Sequence, residues 1–317
     1  MADLIFSVNA VIPIFVVMFL GFLLRLRNFV DESFVEGSTK VMFNIAIPCM
    51  LAYSIINTGF AHAFNPTLII IGILGTLAII CVLWLTVPRF IKSPATYTAF
   101  IQSCFRGNYV LLGFPLAGSI AGPAAISQTA ALMSIMVPFY NIMAVIILAQ
   151  SNRDAHQLPL HSVLKRIITN PLIIGVAVGT AISLLEIRLP ILIYHPLSLL
   201  SQMAAPLALF TLGSSINLKT DLSRLRPALV ISAIRLIAFP VVFLAVGYAL
   251  GLRDVELTVL LVLSCAPVAI VCFPMAYQMG ADHQLASMSI IVSTFLSVAT
   301  ILFFVYITRV LGWIAIY

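Results

Sequence analysis

Apolar stretches, most of them near the twenty or so residues that a membrane-spanning helix needs, alternate with short polar breaks along the whole chain. Ten such stretches lie near residues 5–24, 40–58, 67–88, 96–119, 124–149, 168–187, 194–217, 227–251, 255–279 and 285–308. Twenty helical residues rise roughly 30 Å, the thickness of a hydrocarbon core. The pattern predicts an all-α integral membrane protein with ten transmembrane helices. The fourth and ninth stretches are the least uniform. The longest polar connection, 151–167, separates a first five-span half, 1–150, from a second, 168–317.

Composition agrees with this pattern. The chain is 62% hydrophobic and 8% charged, whereas soluble domains carry about 25% charged residues. The opening "MADLIFSVNA" lacks the positive region of a signal peptide, so the first span is expected to be retained. Five cysteines (Cys49, Cys81, Cys104, Cys265, Cys272) all fall in apolar spans without a CxxC pair. Disulfides and zinc are therefore not expected.

The net charge of +6 is distributed by side, which points to membrane topology and not to nucleic acid. Of sixteen Lys and Arg, eleven fall in the connections after spans 1, 3, 5, 7 and 9, and three (Arg188, Arg253, Arg309) on the opposite side. Arg106 and Arg235 fall inside spans. The positive-inside rule then places both termini on the outer side of a plasma or inner membrane.

Landmarks recur across the two halves. Pro13 and Gly21 match Pro171 and Gly179 at an offset of 158, and Pro48 matches Pro206 at the same offset. Phe114-Pro115 matches Phe273-Pro274 at 159. Five spans per copy is an odd number, so the second copy enters the membrane from the opposite side. The expectation is two inverted five-helix repeats, a layout common among secondary transporters.

Spans 4 and 9 carry helix breakers at matching places. Span 4 reads "SCFRGNYVLLGFPLAG", with Gly107, Gly113 and Pro115; span 9 reads "SCAPVAIVCFPMAYQMG", with Pro267 and Pro274. Backbone groups freed at such breaks cannot face lipid and must meet protein or a wet cavity. Paired breaks in inverted halves are the strongest sequence pointer to a transport site. Arg106 lies about 16 Å into its span at 1.5 Å per residue, near the midplane, where a charge is costly. None of the ten carboxylates is clearly inside a span. Arg106 either meets a substrate anion or bonds broken-helix carbonyls. Arg235 either snorkels to the interface or serves function. Asn108 offers donors and an acceptor beside the break. The candidate substrate-binding residues are Asn108, Arg106, Tyr109, Gln128 and Asn141. Hydroxyls in spans 5 and 10 are expected to bond their own helices.

"GNYVLLGFPL" resembles the Gly-Asn-x4-Gly-x-Pro-Leu stretch of the auxin efflux carrier family, which includes plant PIN proteins and bacterial malate or malonate permease-like members. "MAAPLALFTLGSSI" and "CAPVAIVCFPMAYQMG" resemble that family's seventh and ninth spans. The resemblance covers nearly the whole chain, without the long cytosolic loop of many plant members. It implies a scaffold of spans 1, 2, 6 and 7 and a transport domain of spans 3–5 and 8–10. It also implies elevator-like motion, an organic-anion substrate, crossover positions at Asn108, Pro115 and Pro267, and a homodimer.

Taken together, these readings favour a secondary carrier for a small organic anion. An intramembrane enzyme would need paired aspartates, a nucleophile with its base, or a metal motif, and the five scattered histidines show no ligand spacing. A non-transporting sensor is the other alternative. No cofactor is expected, and coupling to Na+, to H+ or to neither is open.

Overall fold

The computed structural model describes residues 2–58, 64–151, 171–214 and 222–314. The connection 151–167, apart from Ser151, lies outside the described residues. The chain runs as α1 (Ala2–Leu26), then α2 (Glu32–Val41) through a π turn (Met42–Ala46) into α3 (Ile47–Thr58). It continues as α4 (Pro66–Phe90), α5 (Pro94–Phe105), α6 (Tyr109–Leu148), α7 (Pro171–Leu184) and α8 (Ile191–Ser214). A short 3-10 turn (Leu222–Arg224) leads into α9 (Leu225–Ala233), a π turn (Ile234–Ala238) and α10 (Phe239–Ala249). The last helices are α11 (Asp254–Cys265), α12 (Cys272–Gln278) and α13 (His283–Val310).

Among the described residues, seven helices are long and apolar enough to cross a membrane. The fourth span is divided between α5 and the start of α6. The fifth occupies the rest of α6, beyond non-helical Ala121 and Gly122, the latter at φ +67. The ninth span is divided between α11 and α12, and the sixth is the shorter apolar α7. Helix starts follow local chemistry. Asn65 caps α4 by accepting from the amides of Thr67 and Leu68, with Pro66 in the first turn, where its missing donor costs nothing. Asp31 and Asp282 cap α2 and α13 through Phe34 N and Leu285 N. The second span begins earlier than its apolar run: Glu32, Glu36 and Lys40 are exposed polar residues of α2.

Two sets of helices pack most closely. In one, α1 lies on α8 and α3 on α7, with α8 also against α3. Backbones nearly touch there: a Cβ on Gly21 would overlap Phe210 O, and one on Gly179 would lie 2.7 Å from Ala52 Cα. In the other set, α9 packs on α13, α11 on α6 and on α10, and α4 on α5.

Polar ties gather at the helix ends. Asn65 Nδ2 donates to Glu256 Oε1 at 2.6 Å, and Asp254 N to Trp313 O at 3.0 Å. About 37 Å away along α9 and α10, at 1.5 Å per residue, Asp282 forms a second junction. Its carboxylate meets Arg224 at 3.1 Å and accepts from Thr96 Oγ1 at 3.2 Å, while its N–H donates to Ala95 O at 2.9 Å.

Candidate functional site

The two interrupted helices meet in mid-molecule. α5 ends at Phe105 and the chain extends through Arg106 (φ −90, ψ 97) before α6 begins. α11 ends at Cys265, and Ala266 is extended (φ −62, ψ 136). Asn108 N donates to Pro267 O at 2.6 Å and Ala269 N to Arg106 O at 2.9 Å, with Gly107 opposite Val268 in an antiparallel bridge. Ser293 Oγ accepts from Val268 N at 3.0 Å. Backbone groups that leave the helices thus find partners in each other, as an apolar surround requires.

The proline positions need a correction. Pro267 sits in a break, but Pro115 and Pro274 lie inside the helices that come after the breaks. Pro274 is the third residue of α12, where the amide has no intrahelical partner to lose. Pro115 is six residues into α6, so the interruption at 106–108 has another cause. Gly107 is what lets Arg235 enter there: a Cβ on it would overlap the guanidinium. Gly113 instead lets α6 approach α11, since its Cβ would come within 2.9 Å of Val262 Cγ1.

Arg235 does not snorkel. Its residue is 0% exposed, and its guanidinium donates through Nε to Ala266 O (2.8 Å), through Nη2 to Leu263 O (2.7 Å) and through Nη1 to Phe105 O (3.4 Å). These carbonyls close the C-terminal ends of α5 and α11. The π turn Ile234–Ala238 contains Arg235. An extra residue in a turn rotates the helix beyond it, and such bulges often occur at functional sites.

Arg106 lies elsewhere. It is 6% exposed, donates through Nη2 to Asn141 Oδ1 on α6, and through Nη1 to Met275 Sδ on α12 at 3.1 Å. Among the described residues no carboxylate bonds either arginine. The bonding of broken-helix carbonyls considered for Arg106 belongs to Arg235. Asn108, also 6% exposed, precedes α6 with no side-chain cap, and its Nδ2 is buried without a partner. The Tyr109 hydroxyl is likewise unpartnered, and its ring meets Tyr140 edge-on at 5.4 Å.

The structure therefore brings Arg106, Gly107, Asn108, Tyr109, Asn141 and Pro267 together. It does not bring Gln128 to them: Gln128 is half-buried on α6 and thirteen residues before Asn141, about 20 Å along the axis. Gln102 joins the site without having been anticipated. It is 0% exposed, neither polar atom of its amide has a partner, and its carbonyl accepts from Arg106 N. A glutamine one turn before an intramembrane arginine was the available signal. Several hydroxyls of the fifth and tenth spans bond carbonyls of their own helices, as Ser134 does to Ala131 O at 2.7 Å and Thr294 to Ile290 O at 2.6 Å, whereas the buried Thr129 hydroxyl has no partner. Among the described residues no His, Cys, Asp and Glu group could hold a metal.

The site has two electrostatic faces. Helix C-termini of α5 and α11 carry partial negative charge toward Arg235; the N-terminus of α6 carries partial positive charge on the face of Arg106 and Asn108. The second face suits an anion, since it offers a guanidinium, an amide donor and first-turn N–H groups.

Residues 6–305 match the family described as membrane transport protein. A Rhizobium meliloti (strain 1021) protein named "Putative malonate transporter" is 26% identical over 310 residues, 94% of this chain and 95% of that protein. A protein of Methanothermobacter thermautotrophicus named "Uncharacterized transporter" is 23% identical over 298 residues, 93% of this chain and 96% of its own length. With a family match across nearly its whole length, the chain belongs to the membrane transport protein family, the auxin efflux carrier or PIN-like proteins, and is a transporter and not an enzyme.

Proposed function

We propose that the protein is a secondary carrier for a small organic carboxylate, bound where the two interrupted helices meet. The observation that carries this reading is Arg106: a buried guanidinium whose acceptors are an amide oxygen and a thioether, beside the unpartnered Nδ2 of Asn108. Charge accounting supports an anion. Two helix C-termini, each about −0.5, offset the charge of Arg235. The N-terminus of α6, about +0.5, adds to Arg106 and leaves the opposite face near about +1.5. The name of the Rhizobium relative is in keeping with a short dicarboxylate.

The chain is read as two inverted five-helix repeats. Close contacts support the symmetry. Adding 158 to Gly21 gives Gly179, and subtracting 158 from Phe210 gives Ala52; both pairs are near-touching backbones, one between α1 and α8, the other between α7 and α3. In this reading α1–α3, α7 and α8 form a scaffold shared by a homodimer. The remaining helices carry the crossover past it in an elevator-type cycle, with both termini outside the cell's inner membrane.

The test is uptake of labelled malonate, succinate and acetate into proteoliposomes holding wild type, Arg106→Gln or Asn108→Ala, with and without sodium or a proton gradient. Wild type takes up a dicarboxylate in preference to acetate, and Arg106→Gln raises its KM by about 10- to 100-fold, the value of a hydrogen bond to a charged group. Equal KM in a folded Arg106→Gln protein removes Arg106 from the substrate site.

A further inference from the structure

Half-helix C-termini and unwound carbonyls are the usual seat of a coupling cation in carriers with broken helices. Here the corresponding carbonyls surround a side chain. Phe105 O comes from the end of α5, and Leu263 O and Ala266 O from the end of α11, so the cage draws on both halves of the chain. All three nitrogens of Arg235 donate into it. The ring of Phe239 lies 4.8 Å from the guanidinium carbon, and Gly107 leaves the space that the guanidinium occupies.

We propose that this carbonyl cage is a cation site permanently filled by the protein's own Arg235, so that the two breaks are held together without a bound sodium. The charges match: two helix C-termini present about one negative charge, and one guanidinium neutralises it. A sodium ion would meet carbonyls already engaged and a fixed positive charge at contact distance. The planar fork of Arg also fits what a spherical ion or an ammonium does not, since its three nitrogens reach acceptors on two different helices. Truncating the side chain while leaving the cage should therefore create a vacant site, selective for guanidinium ion and weaker for sodium.

Thermal unfolding of the purified full-length protein in detergent tests this without reference to the transported solute. Wild type, Arg235→Ala, Arg235→Lys, Gly107→Ala and the double variant Gly107→Ala/Arg235→Ala are compared in matched low concentrations of guanidinium, sodium and choline chloride. Arg235→Ala has a lowered midpoint that guanidinium raises by roughly 2–4 °C relative to choline, with a smaller rise in sodium, while wild type responds to neither. Arg235→Lys keeps the charge but lies below wild type. Gly107→Ala lowers the midpoint by collision with the guanidinium, and the double variant is no less stable than Arg235→Ala, because the methyl has lost its obstacle. The proposal is overturned if guanidinium shifts wild type and Arg235→Ala alike or shifts neither. It is also overturned if sodium stabilises wild type over choline. If Arg235→Ala does not fold in any salt, Gly107→Ala decides: a lowered midpoint supports a filled cage, and wild-type behaviour overturns it.

Discussion

Arg106 and Arg235 approach the same pair of helix breaks and have little else in common. Both are buried and neither bonds a carboxylate among the described residues. Arg235 meets three carbonyls at the negative ends of two helices. Arg106 meets one amide oxygen and a sulfur, a weak acceptor, beside the positive end of α6. A buried cation in the first setting is satisfied by the fold. In the second it is under-satisfied, and an incoming anion would supply what the protein does not. The kind of acceptor, more than burial, separates an arginine that holds the structure from one that waits for a ligand.

Substitutions at the two sites should therefore fail in different ways. Arg235→Met has the largest expected effect: three carbonyls lose their donors together, and the folded state loses about 3–5 kcal/mol, read as a lower unfolding midpoint and folded yield. Arg106→Gln should cost about 1.5–3 kcal/mol of substrate affinity and leave the midpoint unchanged or higher, since it removes a poorly matched buried charge. If Arg106→Gln unfolds the protein as Arg235→Met does, the contrast between them is gone. Asn108→Ala should raise KM by about 5- to 10-fold, the value of one hydrogen bond, with an unchanged midpoint because Nδ2 bonds nothing in the fold. Gln102→Leu is the smallest case: removing an unpartnered buried amide should raise the midpoint by about 1–2 °C. A loss of uptake in that variant would instead extend the anion's contacts one turn along α5.

Much of the fold was legible because apolar runs of bilayer length leave few other solutions. Helix starts at Asn65 and Asp282 were also within reach of their side-chain chemistry. Arg106 and Asn108 stood out as polar residues in a lipid-length span, and the structure places them side by side at the break. The cause of the break was not legible. Proline is the familiar helix breaker, yet Pro115 is accommodated inside α6, and the interruption is occupied by Arg235, from a distant part of the chain, packed against Gly107. Nor could spacing reveal the π turn at Ile234–Ala238 around Arg235, since a one-residue change in helical register leaves no compositional trace. Gln128 carries the same kind of amide as Asn141, and no local pattern distinguishes their heights along α6.

Asp282 has a mechanical consequence. Its side chain and amide hold Arg224, Thr96, Ala95 and Leu285, so the starts of α5, α9 and α13 share one knot. Sliding α5 against α13 would require several of these bonds to part together. The first interrupted helix is thus moored at its start to two helices from the other half of the chain, and the three ends behave as one anchorage.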